Sequence, residues 1–208
     1  MKIIHETKFN NVDALRLFTS NAAQRKNSSR IHYHTMIEIS FILSGNGLYK
    51  TGNTIHTIKA GDIFFFRPNE AHCITDIEEN GMELLNLHIA PYYLYTNFQN
   101  ALNTNYIKIL AANFPLASNK FNDTLSPEQL KEVKNLILSI RNEFENKSSD
   151  YITLVNNYIS AILILVSRSY KNNRFSQKEK QNYQKLLSAV KYIDTHFKEN
   201  ITLDLLAQ

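Results

Sequence analysis

A chain of 208 residues with 43% apolar content can bury one good core and a smaller attached unit, and it is neither disordered nor repetitive. One cysteine, Cys73, excludes an intrachain disulfide and fits a reducing compartment, while the opening Met1-Lys2-Ile3-Ile4-His5-Glu6 has no apolar signal region. Most of the net charge of +4 sits in the tail, where residues 171–208 hold seven basic and four acidic side chains; this is a weak pointer to a nucleic-acid partner, since a solvated helix face gives the same count.

The longest unbroken apolar run, Ala161 to Val166, is too short to span a bilayer, so a cytoplasmic protein without a membrane partner is expected. Residues 1–30 show no long period; Ala14 to Phe18 fits a short strand, and Arg25 to Arg30 is a basic connector. From Ile31 to Ile89 apolar and polar residues alternate, with turn signals every eight to twelve residues, as an all-β barrel or sandwich requires. Strands are expected near 36–43, 47–51, 54–58, 62–66, 72–77 and 83–89. Ile63-Phe64-Phe65-Phe66 is continuously apolar, which predicts a strand covered on both faces, by barrel on one side and helix on the other.

The chemistry concentrates between His32 and His72. Residues two apart on a strand share a face, so His32, His34 and Glu38 are expected to converge, with His72 as the fourth member. Buried imidazoles and a carboxylate must line something wet or coordinate something. Three histidines and a glutamate suit a divalent transition ion such as manganese, iron, nickel or zinc. His56 and His88 also fall on strands but are left outside the site, because a lone strand histidine is more often a hydrogen-bonded structural residue. Cys73 alternates away from His72 and reads as a small packed side chain.

The pattern His32-x-His34-x3-Glu38-x6-Gly45 resembles the first motif of the cupin superfamily, a jelly-roll barrel. The second motif departs: Gly61, Pro68 and His72 are present, but Glu70 stands near the usual glycine and Asp76 replaces the asparagine. The shorter form Pro68-Asn69-Glu70-Ala71-His72 resembles the ligand-binding domain of AraC-type transcriptional regulators. That resemblance implies a pocket in which His32, His34, Glu38 and His72 bind a small polar effector, with no obligatory cofactor.

After Ile89 the period changes. Pro91 to Tyr95 is an aromatic cluster suited to closing a barrel end, and Thr96 to Leu125 is polar and irregular. Ser126-Pro127-Glu128-Gln129 is a capping box with proline at the first helical position, opening a helix that ends near Lys147. Asp150 is expected to cap a second helix with two adjacent apolar stripes, more than one contact surface needs. Such a hairpin resembles the dimerisation element of AraC-type regulators, and Tyr158, Ile159, Ile162, Leu163 and Val166 are its candidate interface; the alternative is that both stripes are core.

Lys171 to Phe175 reads as a linker. Ser176 caps a helix with a stripe of Tyr183, Leu186, Leu187, Val190, Ile193 and Phe197, and Thr202 caps a further short helix. The run Ala189 to Phe197, followed by Asn200-Ile201-Thr202-Leu203 and Leu205-Leu206-Ala207, is similar to the opening of the AraC-family DNA-binding domain. The recognition helices would come after it, so the expectation is a chain cut just inside that domain.

The resulting expectation has three parts: a cupin-like barrel over 1–125, a helical hairpin over 126–170, and a linker with the start of a helix-turn-helix domain over 171–208. It describes the sensor and dimerisation region of a bacterial regulator rather than an enzyme, with a homodimer partner, a small-molecule effector, and DNA bound through the C-terminal domain. The competing reading is a metal-dependent cupin oxygenase or isomerase, and a third is a binding module with no DNA partner.

Overall fold

This computed structural model describes residues 4–5, 14–28, 30–97, 118–169, 181, 185, 188–189, 192–193 and 195–206. The chain divides into two compact units, Met1–Ser169 and Tyr170–Gln208.

Among its described residues the first unit opens with nine strands: β1 (Ile4–His5), β2 (Leu15–Ala22), β3 (His32–Tyr33), β4 (Ile37–Ser44), β5 (Asn46–Thr51), β6 (Thr54–Lys59), β7 (Ile63–Phe66), β8 (His72–Ile77) and β9 (Met82–Ile89). They form two sheets, ordered β1-β3-β8-β5-β6 and β2-β9-β4-β7. The six strands expected between residues 36 and 89 are all present, within about a residue at each end. β2 runs eight residues, well beyond the short strand read from Ala14 to Phe18, because it pairs in full with β9 from Leu15↔Ile89 to Ala22↔Met82.

Period two sorts the second sheet. On one face Ile37, Ile39, Phe41, Ile63, Phe65, Leu85, Leu87 and Ile89 are all buried, which requires a covering layer. The helical segment supplies it: Phe121, in a short 3-10 turn (Phe121–Asp123), stacks on Phe65 with ring centroids 5.8 Å apart. The double-sided burial expected for the Ile63–Phe66 run is found, each residue being 0% exposed. On the other face Ile42, Phe64, Phe66 and Leu84 meet Tyr49, Ile58 and Ile77 of the first sheet and form an apolar core. That core shares the space between the sheets with polar residues of the same strands, and its Phe66 stacks on His72 with ring centroids 4.0 Å apart.

One turn is fixed by glycine. Gly45 joins β4 to β5 at φ +90°, and a Cβ there would run into the Gly81 carbonyl.

Helix α1 (Pro91–Asn97) follows the barrel where an aromatic cluster was read, with Leu94 buried. Helix α2 (Pro127–Asn146) begins with the expected capping box: Ser126 Oγ accepts from Gln129 N, and the Gln129 side chain accepts from Ser126 N. It ends at Lys147, in the left-handed region, whose N–H donates to the Glu143 carbonyl. Helix α3 (Tyr151–Ser169) starts differently from the expectation, since Asp150 sits at φ +60° rather than in the extended geometry of an N-cap.

α3 is long and apolar enough, by length and composition, to cross a bilayer, a property that its shorter unbroken apolar run concealed. In this structure it packs on α2, and Val155, Ile159, Ile162, Leu163 and Val166 are 0% exposed. This corrects the interface read from sequence: a partner chain is not what buries Ile159, Ile162, Leu163 and Val166. Of that group only Tyr158 is part-exposed, beside Leu154 at 40%.

In the second unit, the described residues between 181 and 196 are helical, Thr202 Oγ1 accepts from Leu205 N at 3.3 Å, and α4 (Leu203–Leu206) follows. Thr202 therefore caps as expected. Residues 171–175 and 176, and Tyr183, Leu186, Leu187 and Val190 of the expected stripe, lie outside the described residues.

Candidate functional site

Strands from both sheets bring the polar cluster together. Glu38 on β4 stands directly opposite His88 on β9, and His88 stands opposite Arg16 on β2. Across the barrel, His32 on β3 is paired with His72 on β8. His34 lies in the segment that carries the chain from β3 in one sheet to β4 in the other. The four residues read from sequence do converge, but not by sharing one strand face: β3 is two residues long, and His32 and Glu38 belong to opposite sheets.

Glu38 is the centre. Its Oε2 lies 2.8 Å from His34 Nε2, 3.2 Å from His88 Nε2 and 3.4 Å from His72 Nε2. His32 completes the group through its ring, 4.4 Å from that of His72 between centroids. Glu38, His34, His72 and His88 are all at least 95% buried, whereas His32 is part-exposed.

Burial alone would push the Glu38 carboxyl up; the histidines at its oxygen, His34 foremost, override this and hold it well below the usual carboxylate range. Burial alone would likewise lower His72. Contact with Glu38 and the bond to the Glu70 carbonyl instead raise it above the ordinary imidazole value.

The loop after β7 sets the ring orientations. Arg67 grips the Glu70 carboxylate through its backbone N–H and its guanidinium, and Asn119 Nδ2 donates to the same carboxylate at 3.2 Å. Asn69, at φ +65°, donates its N–H to the His34 carbonyl at 2.7 Å. His72 Nδ1 then meets the Glu70 carbonyl at 2.8 Å, and His34 Nδ1 meets that of Met36 at 3.0 Å. With both Nδ1 atoms turned to carbonyls, both Nε2 atoms face inward. Either a proton or a cation must lie between His34 Nε2 and Glu38 Oε2, since a carboxylate oxygen only accepts.

That arrangement fits a metal ion. Two overlapping trios, His32-His34-His72 and His34-Glu38-His88, offer ligand atoms within 4.8 Å of one another. His72 Nε2 is buried, with Glu38 Oε2 at 3.4 Å and no further hydrogen-bond partner among the described residues, so its inward nitrogen is placed as a ligand atom would be.

His88 was set aside in the reading from sequence and belongs at the centre of the site. Its signal was present: Leu84, Asn86 and His88 alternate on β9, and two polar residues on an otherwise apolar face announce a polar lining. His56 lies apart from this cluster, bonded to Thr51 Oγ1 at 3.0 Å. Cys73 is 3% exposed, and burial pushes its thiol up, as suits a packed side chain.

Above the cluster lies a cavity of about 910 Å³, open to solvent on one side. Glu38, His88 and His32 reach its floor, and Phe18, Tyr49 and Leu84 supply apolar wall. A polar row crosses it: Ser40 Oγ donates to Asn86 Oδ1 at 2.8 Å, and Asn86 Nδ2 donates to Ser20 Oγ at 3.2 Å.

Comparison with known proteins places this geometry. Residues 22–88 match the family described as the Cupin domain. No curated protein sequence matches the chain. Among solved structures, ToxT from Vibrio cholerae is similar over 94% of this chain and 70% of its own, at 10% identity and a TM-score of 0.50. The AraC-like transcriptional activator CuxR is similar over 83% of this chain, at 15% identity and a TM-score of 0.45, and this chain spans 55% of CuxR's length. An oxalate decarboxylase variant from Bacillus subtilis is similar over 38% of this chain and 22% of its own, at 20% identity and a TM-score of 0.32. Residues 22–88 thus match the cupin domain, within a chain whose fold is similar to that of ToxT.

Proposed function

We propose that this chain is the sensor and dimerisation region of an AraC-type transcriptional regulator, whose cupin barrel binds a small polar effector. The observation that carries the reading is the part-filled barrel: an apolar core occupies part of the space between the sheets, and the histidine–carboxylate cluster beside it borders a cavity of about 910 Å³. His32, His34, Glu38 and His72 are the effector-contacting group, to which the geometry adds His88. Helices α2 and α3 after the barrel are what a regulator needs and a small cupin enzyme does not. Residues 189–207 resemble the opening of an AraC-type DNA-binding domain, which gives DNA as the eventual partner.

Regulation requires that the effector bind two arrangements of the protein with different affinity; occupancy alone shifts nothing. Dimerisation is assigned to the exposed stripe of α3 around Leu154 and Tyr158. Sedimentation at micromolar concentration tests this: a dimer is expected, and a monomer removes the interface.

A metal-dependent cupin is the second reading, favoured by the inward-facing His34 and His72 Nε2 atoms and the paired Nδ1–carbonyl bonds that hold them. His32, His34 and His72 with Glu38 would hold the ion, and His88 would bond to Glu38. A bound ion would supply Lewis acidity toward a substrate oxygen. The two readings separate on metal analysis after purification without chelators, combined with a screen of oxygenase and isomerase substrates. Stoichiometric metal with turnover favours the enzyme; effector binding without turnover favours the sensor.

A further inference from the structure

The charged side chains that line the cavity are mostly positive. Three arginines, Arg16, Arg25 and Arg30, stand against one carboxylate among the described lining residues, Glu38. That carboxylate is already surrounded by His34, His72 and His88 at the floor. Ser40, Asn86 and Ser20 satisfy one another in the row across the wall. Guanidinium groups only donate, so the three arginines favour a ligand that presents acceptor oxygens to them, above all charged ones.

The charges are graded as well. Arg30 is exposed, Arg16 and Arg25 are part-buried, and Glu38 is 5% exposed, so the arginines are the more solvent-accessible charges of the lining. Apolar walls between them, including Phe18, Ile74 and Leu84, lower the local dielectric and strengthen the field of the arginines inside the cavity. Arg16 sits with its guanidinium carbon 5.7 Å from the centroid of the Phe18 ring, which holds the planar group along the wall. Register places Arg16 beside His88, so a ligand on the arginine also reaches the floor.

We infer that the effector is a small organic oxyanion, a carboxylate or phosphate ester, held by Arg16, Arg25 and Arg30 with its body directed toward His32 and His88. Arginine forks match carboxylate and phosphate oxygens in pairs, and such charge-assisted bonds are the strong ones. This inference rests on the sensor reading of the same cavity.

The test is thermal unfolding of the protein with inorganic phosphate, gluconate, glucose 6-phosphate or glucose, with sodium chloride holding ionic strength equal. The expected result is a Tm rise with the oxyanions above that with glucose or chloride. In R25Q/R30Q the apparent affinity for those anions falls by at least about tenfold, with R30Q alone, at an exposed position, as the milder variant. The gluconate and phosphate arms separate a carboxylate preference from a phosphate preference. A rise with glucose as large as with gluconate, an unchanged anion response in both variants, or no anion response above chloride would each overturn the inference. A glucose response abolished by His34→Ala would remove the anion and leave the sensor cavity standing, whereas four compounds with no response that depends on the arginines or on His34 would remove both.

Discussion

Replacing Glu38 with glutamine tests the physics of the site most sharply. The substitution keeps the volume and deletes one negative charge at 5% exposure, with imidazole nitrogens 2.8, 3.2 and 3.4 Å from its oxygen. At an effective dielectric of about 20, each full charge pair at such a distance is worth roughly 5 kcal/mol, against a desolvation cost of several kcal/mol for the buried carboxylate. Removing one partner of a buried pair then costs about 3–5 kcal/mol. The pH dependence follows from the directions of the shifts. Glu38 is depressed, so its contribution is present above the unfolded value of 4.5 and is lost as pH falls through the lower folded value. His72 is raised, so its contribution is complete below the unfolded value of 6.5 and is lost as pH rises through the higher folded value. The parent's cluster contribution is therefore greatest between pH 4.5 and 6.5. Urea unfolding of metal-free parent and E38Q across about pH 4 to 9 should show the largest difference in that window and a smaller one at high pH. A flat difference, or one below about 1 kcal/mol throughout, would refute a charged, histidine-stabilised Glu38.

Three further outcomes follow from packing. Phe65→Ala should lose about 3–5 kcal/mol in urea unfolding, because Phe65 is 0% exposed and stacks on Phe121 across the joint between barrel and helices. Gly45→Ala should destabilise by more than the about 1 kcal/mol of an ordinary left-handed alanine, since its Cβ meets the Gly81 carbonyl; thermal melts of the purified variant measure it. Leu154→Lys should shift a dimer to monomer in sedimentation with its melting temperature nearly unchanged, whereas Ile159→Lys, at a 0% exposed position, should unfold the chain.

The sequence made strands legible where a face alternates and turns intervene, and it made α2 legible because its capping box is local chemistry between Ser126 and Gln129. The double burial of Phe64 and Phe65 was also readable, since a continuous apolar run has no polar face to expose. What escaped depends on partners distant in the chain. β2 is long because β9 is there to pair with it, and nothing near Ser20 announces that. The alternation of Asn86 and His88 marked a polar lining on β9, but that this strand pairs in register with Glu38, far back along the chain, is not encoded locally. His32 and Glu38 were expected together for the wrong reason: the intervening residues cross between sheets rather than continue one strand. The interface candidates Ile159 and Leu163 failed because helical periodicity gives an apolar arc without saying which part the chain itself covers.

The most direct test of the account is the response of the histidine ring signals in two-dimensional NMR to gluconate, glucose 6-phosphate and glucose. The account predicts that a binding compound moves the signals of His32 and His88, with His34 and His72 following through Glu38, while His56 and His196 stay in place. Movement of His56 or His196 without the four, under a compound that raises the melting temperature, would put the binding site elsewhere and contradict the sensor reading of this barrel.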